Sequence, residues 1–232
     1  MQSLLSSLAH GWKQKAYPTL SSFIAFFGVA WLGVCIATVY ILAELSDEVL
    51  EQEAFALDET ILLHIRRFAN PLLDKVMVFI TNIGDPHTVV PLTVIAFVFL
   101  LVNRQRLAAT FFAINAAGGV ALSYFLKLAF SKPRPQLWNS AIEEVTYSYP
   151  SGHALGSMVI YGFLSYVLAK MYPRYSAAIY TFAVLMIVSI GFSRLYLGVH
   201  WPTDILGGYG IGFLWITACI SLLRLRQRGD AF

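Results

Sequence analysis

Three short segments of this chain hold side chains able to do chemistry together. Six residues separate Lys127 from Arg134 and Pro135, and Pro150, Ser151, Gly152 and His153 follow in a row. Ser193 and Arg194 come next, then five residues to His200 and three more to Asp204. At the head of a helix, His200 and Asp204 fall one turn apart on one face. A carboxylate there accepts the proton of one ring nitrogen and leaves the other free to attack. His153 offers a second imidazole, with an ordinary pKa of about 6.5, suited to protonating a leaving oxygen. Lys127, Arg134 and Arg194 together neutralise a dianion, and arginine forks match phosphate oxygens in pairs. A nucleophile, its orienter, an acid and a charge clamp describe phosphoryl transfer through phosphohistidine. The cations fill the role a metal often plays. No metal site is legible, and no cofactor is expected.

Each residue also has a plainer use. Lys127 suits a snorkelling lysine, Ser151 an N-cap, and Gly152 one half of a small-residue pair with Gly156. Arg194 and Asp204 both suit the dipoles of their helices. What favours a site is where the supporting elements place them. Of 232 residues, 58% are hydrophobic and 12% charged, about half the roughly 25% charged residues of a soluble domain. Mean hydropathy is +0.67. Apolar runs at 22–43, 87–102, 107–126, 154–171, 177–197 and 203–223 each approach the about 20 residues a membrane-spanning helix needs. They predict an all-α polytopic membrane protein with six transmembrane helices, forming one domain over 1–232. The first run is too long for a signal sequence and reads as a retained anchor. Cys35 and Cys219 lie inside apolar runs and read as packing residues. A net charge of +3 is too small to imply a nucleic-acid partner, so the expected partners are membrane lipids.

Loop charges set the orientation. The N-terminus, the 103–106 and 170–174 loops and the C-terminus carry nine cations against the single acid Asp230. The positive-inside rule places both termini in the cytoplasm. The 44–86, 127–153 and 193–202 segments then share the outward face, and the three chemical segments converge there. The N-termini of the fourth and sixth spans reach the same face, where free backbone N–H groups favour an anion. Leu57, Ile61, Ile65, Phe68 and Leu72 predict an amphipathic helix on the outer membrane surface. A helix packed over the bundle fits the same stripe. Asn82, Gly84, Asp85 and His87 read as an ordinary turn before the second span. Ala113, Ala116, Ala117, Gly208 and Gly212 read as small residues for close helix approach. Glu143 and Glu144, between two chemical segments, are placed to repel or select anions.

The three segments together resemble the signature of the type 2 phosphatidic acid phosphatase superfamily, in order and at the family's spacing. The resemblance implies an all-helical membrane fold and metal-independent hydrolysis of phosphate esters or pyrophosphates. It implies a phosphohistidine on His200, His153 as acid and Asp204 as orienter. Lys127, Arg134, Ser151, Gly152 and Arg194 become phosphate ligands. Phosphatidylglycerophosphate, phosphatidic acid and undecaprenyl pyrophosphate are then the candidate lipid phosphate substrates. The expected setting is a bacterial plasma (inner) membrane, with the site facing the periplasm or exterior. Two other readings exist. A non-enzymatic lipid-phosphate binder or transporter needs neither a His–Asp pair nor a second histidine. The related vanadate-dependent haloperoxidases are soluble, which six spans disfavour. Asn139→Cys and Gln105→Cys, introduced singly in a chain lacking Cys35 and Cys219, test the topology. In intact cells an impermeant thiol reagent should label position 139 and spare position 105. The reverse pattern would move the site to the cytoplasmic face.

Overall fold

Inside a bilayer an unpaired backbone group costs several kcal/mol, and a helix satisfies its own. Apolar runs of this length are therefore held to helical structure. A computed structural model describes residues 17–51 and 55–229, and no strand occurs among them. Lys13, Lys15 and Asp230, used in the charge count, lie outside the described residues. The helices are α1 (Tyr17–Glu51), α2 (Phe55–Arg66), α3 (Pro71–Ile83), α4 (Pro86–Val102), α5 (Arg106–Phe130), α6 (Gly152–Met171), α7 (Ser176–Tyr196) and α8 (Pro202–Gly229).

Five stretches are long and apolar enough to cross a membrane: Gly28–Asp47, Arg106–Phe130, Gly152–Met171, Pro173–Tyr196 and Pro202–Gln227. The expected second span corresponds to α4, which has only 17 residues. It follows α3 across a bend of 42°, and the pair counts as a sixth span if taken together. The expected turn before the second span is the elbow at Gly84 and Asp85, between the end of α3 and the start of α4. Asp85 Oδ1 accepts from His87 N at 2.9 Å and Pro86 opens α4, a restart that needs no helical partner for the proline nitrogen. The chain is a multi-pass membrane protein.

Two compact units divide the chain, one ending at Ile41 and the other beginning at Leu42. In the first, Val29, Trp31, Leu32 and Ile36 of α1 are all exposed, an apolar surface suited to lipid. In the second, α6 packs against α5, α7 and α8. Phe112, Leu155, Val159, Phe163, Ile216 and Leu223 form the core there. A Cβ on Gly208 would lie 2.8 Å from the Ser151 carbonyl, and one on Gly212 2.9 Å from Met158 Cβ. Those two glycines let α8 lie directly on α6, as their spacing predicted. On α5 the expected alanine contact holds in part: Ala116 packs against the core, whereas Ala113 and Ala117 are exposed. Gly119 also meets Val159, where a Cβ would stand 2.9 Å from its side chain. Buried Asn115 reinforces the contact by donating to the Val159 carbonyl at 2.8 Å, while its own carbonyl accepts from Trp215 Nε1 at 2.9 Å.

The apolar stripe is carried by two helices, not one. Asn70 caps α3, its Oδ1 accepting from Leu72 N and Leu73 N, and Pro71 follows, so α2 and α3 are separate. Leu57, Ile61, Phe68 and Leu72 remain exposed. The opposite side is packed: Leu62 and Asp58 are buried, and Ile65, Ala69 and Leu73 lie against Tyr196, Leu197 and Val199. The pair therefore offers an apolar outer face and holds the bundle with its inner one. The glycine seam gives a direct test by thermal unfolding in detergent. Gly208→Ala must displace backbone and should cost about 1–3 kcal/mol. Gly156→Ala, with nothing within 4 Å of its Cβ position, should be neutral or gain up to about 1 kcal/mol. Equal effects would show that the seam is loose.

Candidate active site

Asp204, in the first turn of α8, has no solvent exposure. Its Oδ2 accepts from Ser148 Oγ and from Trp201 N at 2.8 Å, and lies 3.1 Å from His200 Nδ1. Its Oδ1 stands 3.2 Å from Lys132 Nζ. A carboxylate only accepts, so the His200 proton belongs on Nδ1 and the lone pair on Nε2. That Nε2 lies 3.1 Å from Arg134 Nη1. The chain reaches His200 through Gly198, whose φ of +70° turns it out of α7; a Cβ there would meet the Trp138 ring. Burial, then the charges of Arg194, Arg134 and Lys127, hold the His200 pKa well below its usual 6.5. The sign keeps the imidazole neutral, with its lone pair available, at neutral pH.

The loop between α5 and α6 positions the cations. Arg134 Nε donates to the Thr146 carbonyl at 2.7 Å and Nη1 to the Val199 carbonyl at 2.7 Å, which locks the guanidinium over His200. Lys127, in the last turn of α5, donates to the Tyr147 carbonyl. Arg194, in the last turn of α7, is 1% exposed and donates through Nη1 to Thr81 Oγ1 at 2.8 Å. Glu144 then joins the two arginines: its Oε1 pairs with Arg194 Nη2, and its Oε2 lies 3.5 Å from Arg134 Nη2. Of the two acids noted in the sequence, Glu144 is the one at the site; Glu143 is exposed.

His153, one residue into α6, interacts electrostatically with Arg194, His200, Arg134 and Lys127. Its buried Nε2 has no hydrogen-bond partner among the described residues. The α3–α4 elbow backs it, since a Cβ on Gly84 would stand 3.0 Å from its Cδ2. Ser151 caps α6, its Oγ accepting from Ala154 N at 3.4 Å, and its own N–H donates to the Asp204 carbonyl at 3.0 Å. Gly152 brings the head of α6 beside α5, where a Cβ would lie 3.3 Å from Ser123 Oγ and 3.9 Å from Lys127 Cε. All eight residues singled out by sequence thus meet in one place. One detail is corrected: the head of α8 is not free for an anion. Asp58 Oδ1 already accepts from Thr203 N at 3.1 Å, and Asp204 accepts from Trp201 N. Sequence reasoning passed over Lys132, Asp58, Ser148 and Thr81. Lys132 sits inside the first motif, and that was the only signal available. Among the described residues no group of three or more His, Cys, Asp or Glu is arranged to hold a metal ion.

Residues 106–228, more than half of the chain, match the PAP2 superfamily. The chain belongs to that superfamily. Among PAP2 relatives, phosphatidylglycerophosphatase B of Bacillus subtilis is 31% identical over 147 residues, spanning 62% of this chain and 72% of that protein. Undecaprenyl-diphosphatase of Sulfolobus acidocaldarius is 28% identical over 150 residues, spanning 62% and 68%. The crystal structure of a transmembrane PAP2-type phosphatidylglycerolphosphate phosphatase from Bacillus subtilis superposes with a TM-score of 0.76 at 26% identity, covering 81% of this chain and 94% of that one. Aquifex aeolicus LpxE follows with a TM-score of 0.57 at 25% identity, covering 72% and 96%. PAP2 membership agrees with the resemblance seen in the three motifs and with the all-helical membrane fold.

The Glu144 pairing generates a prediction. Any phosphate reaching both guanidinium forks competes with that carboxylate. Glu144→Gln removes its charge and should tighten inhibition by vanadate several-fold in a phosphate-release assay. Weaker inhibition would show that Glu144 holds the forks in place for the anion.

Proposed function

We propose that this PAP2 protein is an integral membrane lipid phosphatase acting through a phosphohistidine on His200. The observation that carries the reading is the two-sided engagement of that ring, with Nδ1 on Asp204 and Nε2 at 3.1 Å from Arg134. Arg134, Arg194 and Lys127 take the phosphoryl oxygens, joined by the Ser151 hydroxyl and the N–H groups of Gly152 and His153 at the head of α6. The Nε2 lone pair forms a bond to phosphorus as the bond to the lipid-side oxygen breaks. His153 protonates that oxygen. The phosphorylated imidazolium keeps its Nδ1 proton on Asp204, whose charge stabilises it. Water then attacks phosphorus, giving a proton to His153, and the histidine–phosphorus bond breaks to release inorganic phosphate and restore both rings. The cations stabilise the charge gathering on the phosphoryl oxygens throughout.

Phosphatidylglycerophosphate, phosphatidic acid and undecaprenyl pyrophosphate are the proposed substrates, and the names of the B. subtilis and S. acidocaldarius relatives support the first and last. The proposed setting is a bacterial inner membrane, with both termini cytoplasmic and the site facing the periplasm or exterior. The catalytic chain is read as one phosphatase domain. The cation-lined site lies at helix ends, which supports a bound phosphate at head-group depth. The exposed Leu57, Phe68 and Leu72 on the same face suit acyl chains beside it, and each buried methylene favours retention in the membrane by about 0.8 kcal/mol. Phosphate release by purified protein in detergent tests the reading. His200→Ala should abolish release, and Arg134→Ala or Arg194→Ala should each cost about 10²–10³ in rate. In the same assay, long-chain phosphatidic acid should exceed glycerol phosphate in kcat/KM by orders of magnitude, mostly through KM, and chelator should leave the rate intact. Release by folded His200→Ala protein would sink the covalent mechanism; equal efficiency on both substrates would sink the lipid assignment.

A further inference from the structure

Behind the His200–Asp204 pair lies a second, dry cluster of charge that the proposed reaction does not use. Asp58, Lys132 and Thr203 are 2%, 3% and 7% exposed. Lys132 Nζ donates to Thr203 Oγ1 at 2.6 Å, lies 3.5 Å from Asp58 Oδ2 and stands 3.2 Å from Asp204 Oδ1. Thr203 Oγ1 in turn donates to Asp58 Oδ2 at 2.6 Å, and Thr203 N to Asp58 Oδ1 at 3.1 Å. The ammonium also lies 5.8 Å from the centre of the Trp201 ring, whose Nε1 donates to the Pro133 carbonyl at 3.0 Å. One ammonium therefore joins two carboxylates from different helices, and the lysine's own neighbour, Pro133, is pinned beside it.

We propose that Lys132 and Asp58 are positioning residues for the catalytic carboxylate. The inference rests on the phosphohistidine reading above. Asp204 divides its two oxygens: Oδ2 faces His200, and Oδ1 faces Lys132. Lys132 fixes the rotation of the carboxylate about its own axis and supplies the counter-charge that a buried carboxylate requires. Asp58 holds the ammonium from the far side and caps α8, the helix that carries Asp204. Its capping role is unusual in that the carboxylate comes from α2, not from the residue before the helix. Because α2 turns Leu57 and Ile61 outward while Asp58 and Leu62 are buried, the helix at the membrane surface is tied directly to the orienter of the nucleophile. Lys132 does not touch substrate: it is enclosed on the opposite side of Asp204 from His200. It therefore acts on the rate of the covalent step and not on binding of the phosphate.

The test is a double-mutant cycle on full-length protein in detergent, with phosphatidic acid as substrate. Lys132→Met should lower kcat by about 10–100-fold, the size of effect that follows loss of a partner orienting a metal-ligating side chain, with KM unchanged. Lys132→Arg, which keeps a cation in place, should recover most of that loss. In an Asp204→Asn background, Lys132→Met should add little, because the carboxylate it serves is gone. Asp58→Asn keeps shape and the Thr203 N–H acceptor and should lower kcat in the same direction. It stands in for Lys132→Met should that variant fail to fold. Full activity of folded Lys132→Met, a loss confined to KM, or a loss fully additive with Asp204→Asn would each overturn the proposal. His200→Ala, measured in parallel, separates the two claims. An inactive His200→Ala beside a normal Lys132→Met and Asp58→Asn would remove the positioning role alone; an active His200→Ala would remove the mechanism on which it rests.

Discussion

A carboxylate sealed from water must find all its donors within the protein, and Asp204 is such a group. Meeting that requirement organises the surrounding structure. Ser148, Trp201 and His200 converge on one oxygen and Lys132 on the other, and they come from the α5–α6 loop and the turn before α8. The Ser151 N–H binds the Asp204 carbonyl, which fixes the head of α6 as well. Satisfying one residue, through its side chain and its backbone carbonyl, thus brings the three motif segments to one point. The same hydrogen bonds settle the tautomer of His200, so solvation of the carboxylate and orientation of the ring proposed to attack are one event.

Charge balance is the second constraint. Lys127, Arg134 and Arg194 stand close together in a poorly solvated place, where like charges repel strongly. Backbone carbonyls absorb part of that field, at Thr146, Tyr147 and Val199. Glu144 absorbs more by bridging the two arginines. A phosphate dianion matches the same two forks and the same deficit of negative charge. The two arginines and Glu144 therefore carry the electrostatics that a bound phosphate would complete.

Close helix packing makes this geometry stiff. Gly208 and Gly212 bring α8 onto α6, and Gly119 brings α5 onto the same helix. The ends of α5, α6 and α8 that carry the candidate site accordingly share one rigid base, while the outer faces of α2 and α3 present leucine and phenylalanine side chains. Rigid support behind the site and apolar surface beside it are what a lipid substrate needs from a protein: a fixed place for the phosphate and a lipid-like flank for the tails.

Hydropathy alone determined that the chain is helical and crosses a membrane, because no other regular structure satisfies an apolar run in lipid. Spacing pointed to the His200–Asp204 pair, but His200 precedes α8, and the contact is made by the Asp204 side chain reaching back over the cap to His200 and Trp201 rather than by a helical turn. Alternation of the spans then placed the other motif residues at the same level. The extent of the apolar stripe was misjudged because Asn70 and Pro71, a cap and a helix start, interrupt a periodicity that continues across them. The partners of the candidate site's charged groups were decided by the tertiary structure. Asp58 and Thr203 are 145 residues apart, and Lys132 and Asp58 are 74 apart. Glu144 meets Arg194 across 50 residues. No periodicity links such positions. A buried charge selects its counter-ion by distance in space, and only the folded bundle sets that distance.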